Sequence, residues 1–152
     1  GETMWFKPKE ILQYQFYEGA LPGLVPFATE TCSDLWCWYP EQSGPLGAPV
    51  LQCIHDDPQA RFYAPNVMGW VYRRLLDHAW LMANSFEDEK AEGRELLRSW
   101  LKRVRSVFPP EWSETLDGIC QSPQLLSGEQ RETIVSRDLA FPLLGHKVRW
   151  KP

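Results

Sequence analysis

Three consecutive residues, His55, Asp56 and Asp57, are of the types with which a metal-dependent hydrolase binds its metal and activates water. Such an enzyme needs further histidines or carboxylates at fixed positions. The other histidines, His78 and His146, have no spacing that ties them to His55. Aspartate followed by proline is also what turns use, and a proline comes next in the chain. Two interpretations therefore stand, a hydrolytic site and an Asp-rich turn, of which the turn is favoured.

Four cysteines are scattered along the chain without a Cys-x-x-Cys pair. Cys32, Cys37, Cys53 and His55 would supply four zinc ligands. However, the interval from Cys32 to Cys37 is too long for the usual zinc knuckle, and Cys37 stands between two tryptophans within a strand pattern. Free cysteines are among the most buried residues. We expect Cys120 and the other three to be unpaired and metal-free.

Free cysteines are typical of a reducing compartment, and the chain begins without the apolar segment of a signal peptide. We therefore expect a cytoplasmic location.

The sequence also lacks the motifs of nucleophilic and cofactor-dependent enzymes. It has no Gly-x-Ser-x-Gly elbow, no Gly-rich phosphate loop and no Gly-x-Gly-x-x-Gly fingerprint. We therefore expect no catalytic residues and no cofactor. The chain has 152 residues and a net charge of −4, which repels phosphate backbones, so it is a poor binder of nucleic acid. No apolar run in the sequence approaches the ~20 residues of a membrane span.

Aromatic residues and net negative charge are concentrated in the N-terminal half. The chain has eight Trp, five Tyr and seven Phe, and residues 1–70 hold eight acidic residues against three basic ones. Aromatic rings amid acids are typical of a surface that binds a basic protein. This predicts a partner-binding face made of Glu30, Asp34, Trp36, Trp38, Asp56 and Asp57. Two alternatives stay open: helices cover both faces of the sheet, or Asp34 only caps backbone amides in its turn.

These residues must be positioned by strands in the first half of the chain. Short β-prone runs at 4–6, 24–28, 35–39, 50–55 and 61–64 are separated by turns, which predicts an antiparallel meander. Residues 9–17 fit either a strand or a helical turn, and residues 147–150 fit either a final strand or a docked end.

A helical spacing of apolar residues begins after Asn66, which is a good N-cap residue. Two further helix starts are predicted by capping boxes, Ser85 with Asp88 and Ser127 with Gln130, and a short helix is predicted over 111–119. Two apolar stripes predict a buried core of Trp70, Leu75, Trp80, Leu97, Trp100, Leu101 and Val104. The predicted fold is therefore α+β: one domain over residues 1–152, with an antiparallel sheet of four to six strands from the N-terminal half packed against C-terminal helices.

Five segments, 24–28, 34–38, 47–51, 55–57 and 62–71, resemble in order and spacing the SUKH (Smi/Knr-like) superfamily. They read Leu-Val-Pro-Phe-Ala, Asp-Leu-Trp-Cys-Trp, Gly-Ala-Pro-Val-Leu, His-Asp-Asp and Phe-Tyr-Ala-Pro-Asn-Val-Met-Gly-Trp-Val. Asp34 and Trp36 are the most telling matches. The family's first helix and its Asn-Gly-Gly loop have no counterpart here, so that helix lies upstream or the chain is a divergent branch. After residue 77 the likeness rests on helical character and on Pro-Glu-Trp at 110–112.

The resemblance implies an α+β fold without catalytic apparatus. Bacterial members resemble immunity proteins, which bind and block a cognate toxin, often a nuclease or deaminase; fungal members resemble regulators of cell-wall synthesis and signalling. Our first hypothesis is therefore an immunity-type protein that binds a basic toxin domain, with neither nucleic acid nor membrane as partner. The alternative is a regulatory or scaffold hub in signalling or envelope maintenance. The third is a small metal-dependent hydrolase using His55, Asp56 and Asp57.

Overall fold

The structure, a computed structural model, describes residues 2–152, in which strands come first and long helices follow. This confirms the predicted α+β class. The strands are β1 (Thr3–Trp5), β2 (Val25–Glu30), β3 (Leu35–Trp38), β4 (Val50–Cys53), β5 (Gln59–Ala64) and β6 (Lys147–Arg149). The helices are α1 (Pro8–Gln13), α2 (Val67–Ala83), α3 (Glu87–Val104), α4 (Pro110–Gln121) and α5 (Gly128–Asp138). Contacts divide the chain into two compact units, one of Gly1–Trp70 with Phe141–Pro152 and one of Val71–Ala140.

The six strands form one antiparallel sheet whose spatial order is the order of the chain, from β1 to β6. Five of them come from the N-terminal half, as the spacing of turns predicts. The sixth is the tail: Val148 pairs with Ala60, so β6 extends the sheet beyond β5. The ambiguous segment after β1 is helical at its start, where Pro8 occupies the first turn of α1.

One face of the sheet is covered by irregular segments of the same unit. Its core includes Cys37, Leu51 and Phe62 from three neighbouring strands. Against it pack Phe16 and Leu21 from the segment before β2, together with residues of the stretch that leads into β6. The hydrophobic side chains of this face are thus kept from water without a long helix.

The opposite face carries a cluster of aromatic rings. Trp36 is fully buried, and its ring centroid lies 5.6 Å from that of Trp70 and 4.6 Å from that of Tyr63. Phe27 lies 4.5 Å from Trp38 in a stacked arrangement and 5.2 Å from Trp70 edge-on. Trp36 and Trp38 therefore lie on this face and Cys37 on the other, as the alternation of side chains along a strand predicts.

The stripe residues of the helical unit are mostly buried, as predicted, with Leu75, Leu97 and Leu101 at most 5% exposed. Trp80, Trp100 and Val104 are buried less completely and lie at the edge of the stripe. The ring of Trp100 stands edge-on to His78 at 5.0 Å. Other rings take the interior positions: Tyr72 is fully buried, stacks on Trp112 at 4.4 Å and lies edge-on to Phe108.

Two of the three predicted helix caps are present. The Asn66 side chain accepts a hydrogen bond from the Gly69 amide at 2.7 Å, and Ser127 and Gln130 form a reciprocal capping box. The Ser85–Asp88 capping box was wrong. Helix α3 has Phe86 at its N-cap, and the Ser85 hydroxyl instead donates back to the carbonyl of Leu81. Three acidic residues in the first turn of α3 still match its dipole.

Adjacent leucines of α3 provide a test of the helical core. Leu97 is fully buried and Leu96 is 42% exposed. Replacing Leu97 by Ala leaves a cavity and should lower the free energy of unfolding by about 2–5 kcal/mol. Leu96→Ala, the matched control, should change it by roughly 0.5 kcal/mol or less. Urea unfolding of both variants measures the difference, and equal effects would show that the stripe is assigned to the wrong face.

Candidate functional site

The turn between β4 and β5 presents His55, Asp56 and Asp57 at one end of the sheet. The Asp57 carboxylate accepts the backbone amide of Gln59 at 2.8 Å, and the Asp57 amide donates to the Ile54 carbonyl at 3.1 Å. These bonds close the Asp-rich turn that the sequence favoured. Asp57 is therefore partly committed to backbone hydrogen bonding, whereas the side chain of Asp56 is 83% exposed.

Asp34 approaches this turn from the β2–β3 hairpin. Ser33 before it adopts a left-handed conformation (φ 70°), which turns the chain so that Asp34 enters β3 beside β4. The Asp34 Oδ1 atom accepts the His55 backbone amide at 2.9 Å and faces the His55 Nδ1 atom at 2.9 Å. We call Asp34, His55, Asp56 and Asp57 together the acidic turn.

The imidazole of His55 lies between two carboxylates. Its Nδ1 faces Asp34 at 2.9 Å and its Nε2 faces Asp56 Oδ2 at 3.0 Å. Partial burial opposes the ionisation of Asp34, but hydrogen bonds from the amide and ring of His55 outweigh it and hold the pKa of Asp34 below its ordinary value. Asp34 is therefore ionised at neutral pH and holds the turn against β3. This is the capping role that the sequence left open as an alternative.

The tail of the chain supports the acidic turn from beneath. Trp150 is 2% exposed, and its indole Nε1 donates to the Asp57 carbonyl at 2.8 Å. The Lys151 ammonium donates to the His55 carbonyl and lies 5.6 Å from the centre of the Tyr17 ring. Tyr17 also contacts Trp150, with 6.2 Å between ring centroids, and is itself 62% exposed.

Sequence reasoning missed these three residues because 93 positions separate Asp57 from Trp150 and 96 separate His55 from Lys151. No local pattern connects residues so far apart. The only signal was that Lys147–Trp150 looked able to pair or dock, without indicating where.

Two residues of the predicted binding face belong to the interior. Trp36 is fully buried, and its indole Nε1 donates to the Glu30 carboxylate at 2.8 Å. Glu30 is 7% exposed and also accepts the Thr3 hydroxyl at 2.9 Å. A partner therefore has no access to either side chain, since the aromatic cluster and β1 enclose them. Trp38 is half-buried and stacked on Phe27. Of the six predicted residues, the structure brings together Asp34, Asp56 and Asp57.

The thiols are free and are mostly buried. Cys37, Cys53 and Cys120 are buried and Cys32 is exposed. The sulfur atoms of Cys37 and Cys53 lie 3.9 Å apart, and this contact together with burial raises the pKa of the Cys37 thiol well above its ordinary value. Over residues 2–152, no three or more His, Cys, Asp or Glu side chains are grouped so as to hold a metal ion.

No helix in residues 2–152 combines the length and apolar character needed to cross a membrane. Comparisons of the chain with protein-family models, with curated proteins and with solved structures gave no match.

The lowered pKa of Asp34 predicts a pH-dependent contribution to stability. Because the folded state favours the ionised carboxylate, this contribution is complete above the ordinary pKa and is lost as pH falls through the lowered pKa of the fold. We expect Asp34→Asn to reduce the free energy of unfolding by about 1 kcal/mol at about pH 7, and by less at about pH 2.5. Urea unfolding at both pH values measures this, with Glu114→Gln, an exposed position beyond the first turn of α4, as control. If Asp34→Asn lowers the free energy of unfolding equally at both pH values, the ionised carboxylate of Asp34 does not stabilise the fold.

Thiol accessibility can be checked directly. A bulky disulfide reagent such as Ellman's reagent needs an exposed sulfur, so in the native protein we expect it to react rapidly with Cys32 alone. In denaturant all four thiols should react. Rapid reaction of a second thiol in the native state would show that a buried cysteine is misplaced.

Proposed function

We propose that this protein is a non-enzymatic protein-binding module of the immunity type, which acts in the cytoplasm and blocks a toxin domain with a basic cleft. The observation that carries the proposal is that the exposed carboxylate of Asp56 stands on a turn connected through Lys151 and Trp150 to the exposed ring of Tyr17. This combination of charge and aromatic surface suits a basic protein partner.

The charge of the acidic turn acts mainly on the rate at which the partner associates. Asp34, Asp56 and Asp57 lie in residues 1–70, where eight acids stand against three bases, and His55 and backbone amides hold them in place. Fixed negative charge attracts a basic surface during encounter, and the attraction weakens as salt screens it. Because the carboxylates are already oriented, little conformational entropy is lost when the partner binds.

Tyr17 supplies the aromatic contact that Trp36 was expected to make. It is 62% exposed, and Trp150 and the Lys151 side chain lie against its ring. Tyrosine is enriched among residues that dominate binding energy, because it buries a large rigid surface and retains a hydroxyl for hydrogen bonding. We therefore place the binding surface on the acidic turn with Tyr17, replacing Glu30, Trp36 and Trp38 of the original face.

The geometry of His55 supports a binding role over a hydrolytic one. Both ring nitrogens face carboxylates, at 2.9 Å and 3.0 Å, so a proton transfer to substrate requires one of these contacts to break. The carboxylates also accept hydrogen bonds within the turn. The arrangement is that of a hydrogen-bonded structural turn.

The test uses the product of the gene next to the one that encodes this chain, expressed in a bacterial host. If that product is toxic, co-expression of this protein should restore growth. Asp56→Asn should weaken binding of the purified partner at low salt and make its salt dependence shallower. The exposed Asp88→Asn changes charge equally outside the acidic turn and should bind like the parent.

Tyr17→Ala should weaken the same interaction by about 2 kcal/mol or more if Tyr17 is a dominant contact. Circular dichroism and thermal melting establish that each variant is folded. If neither variant changes binding, the surface lies elsewhere. Binding to a non-toxic signalling or envelope protein would support the hub alternative, and hydrolytic activity lost in His55→Ala would support the enzyme.

A further inference from the structure

A second charged surface lies in the helical unit, in a groove between α3 and α4. The groove has a volume of about 390 Å³, within the range of small-ligand sites. Three cationic side chains, one carboxylate and one amide line it, and a leucine and a cysteine complete the wall; the set is Arg98, Leu101, Lys102, Arg105, Asp117, Cys120 and Gln121. The cations thus outnumber the acids by three to one.

The three cations lie on one face of α3. Arg98, Lys102 and Arg105 are spaced by four and three residues, which places them one above the other along the helix. Like charges at this spacing repel one another. Glu95 pairs with Arg98 on the helix surface, and Asp117 of α4 forms a two-pronged contact with Arg105 at 2.7 and 3.0 Å.

Lys102 is left between two guanidinium groups. It is exposed, and within residues 2–152 the structure gives it neither an ion pair nor a hydrogen bond. Asp117 and Cys120, across the groove, do not compensate the charge of Lys102. Asp117 is engaged by Arg105, and burial raises the pKa of the Cys120 thiol, which is therefore uncharged at neutral pH. The groove consequently keeps an excess of positive charge.

We propose that this groove binds a small phosphomonoester, with Lys102 and the free N–H groups of Arg98 and Arg105 around the phosphate. A phosphate group matches the positive charge that remains at Lys102 once Glu95 and Asp117 have paired with Arg98 and Arg105. Its tetrahedral oxygens accept hydrogen bonds from several directions, as donors on both sides of Lys102 require. Leu101 and Cys120, which are 1% and 4% exposed, form the floor of the groove between the cations.

The positions of these donors are set independently of any ligand. Arg94, one turn before Arg98, donates to the carbonyls of Ser122 and Pro123 at 3.1 and 3.2 Å, which ties α3 to the end of α4. With the Arg105–Asp117 pair at the other end, two contacts hold the helices that form the groove. The site is therefore largely preformed, which reduces the entropic cost of binding.

The test is a titration of the full chain with inorganic phosphate and with adenosine monophosphate at constant ionic strength, followed by two-dimensional NMR of backbone amides. We expect saturable shifts at residues of α3 and α4 that line the groove. Tighter binding of the nucleotide identifies an ester ligand, whereas equal affinities identify free phosphate as the group recognised. Absence of saturable shifts with both probes would overturn the proposal.

Adjacent cations of α3 give a matched pair of variants. Lys102→Met retains most of the aliphatic stem and removes the charge that lines the groove, and should weaken phosphate binding about tenfold. Arg103→Met removes a neighbouring exposed charge that does not line the groove, and should weaken it about twofold or less. If the two variants lose phosphate affinity equally, phosphate is attracted by the general positive charge of the helix, and the proposal of a site in the groove is wrong.

Discussion

The acidic turn depends on one buried side chain near the end of the chain, Trp150. Its indole donates to the Asp57 carbonyl at 2.8 Å, its backbone amide donates to the Pro58 carbonyl at 2.9 Å, and its carbonyl accepts the Leu21 amide at 2.9 Å. A single residue thus joins the tail, the segment before β2 and the β4–β5 turn. Because buried polar groups are costly to leave unpaired, these bonds hold the turn in one conformation, and they bring Tyr17 beside it.

The aromatic content of the chain is explained mainly by the sheet. One sheet face is covered by irregular segments, and large rings such as Phe16 exclude water there without regular secondary structure. On the other face, Trp36 has no access to solvent, and its N–H is satisfied by the carboxylate of Glu30. That pairing explains how an acid is tolerated at 7% exposure beside a tryptophan. Tyr17, which is 62% exposed beside the acidic turn, is the ring that we propose for recognition instead.

The acidic turn and the groove between α3 and α4 are local surfaces of opposite charge, one in each unit. In the unit that contains the sheet, two acids face the ring nitrogens of His55 at 2.9 Å and 3.0 Å. In the helical unit, the charges of α3 follow its dipole, with acids in the first turn and Lys102 and Arg103 in the last. Dipole matching accounts for where these bases lie along the helix. It leaves open why Lys102 faces a groove without a counterion, and an anionic ligand answers that question.

The sequence by itself determined the features that depend on near neighbours. Alternation predicted that Trp36 and Cys37 lie on opposite faces, and the residues around Asn66 predicted the start of α2, because strand pleat and helix capping act within a few positions. Burial could not be predicted in the same way. A tryptophan among acids in the sequence is compatible with either a binding surface or the core. Only the tertiary structure showed that Trp36 is buried in the core. The contacts of Trp150 and Lys151 with the acidic turn cross more than ninety residues. Such contacts arise from packing of the whole unit, since no local periodicity encodes which distant segment a side chain meets.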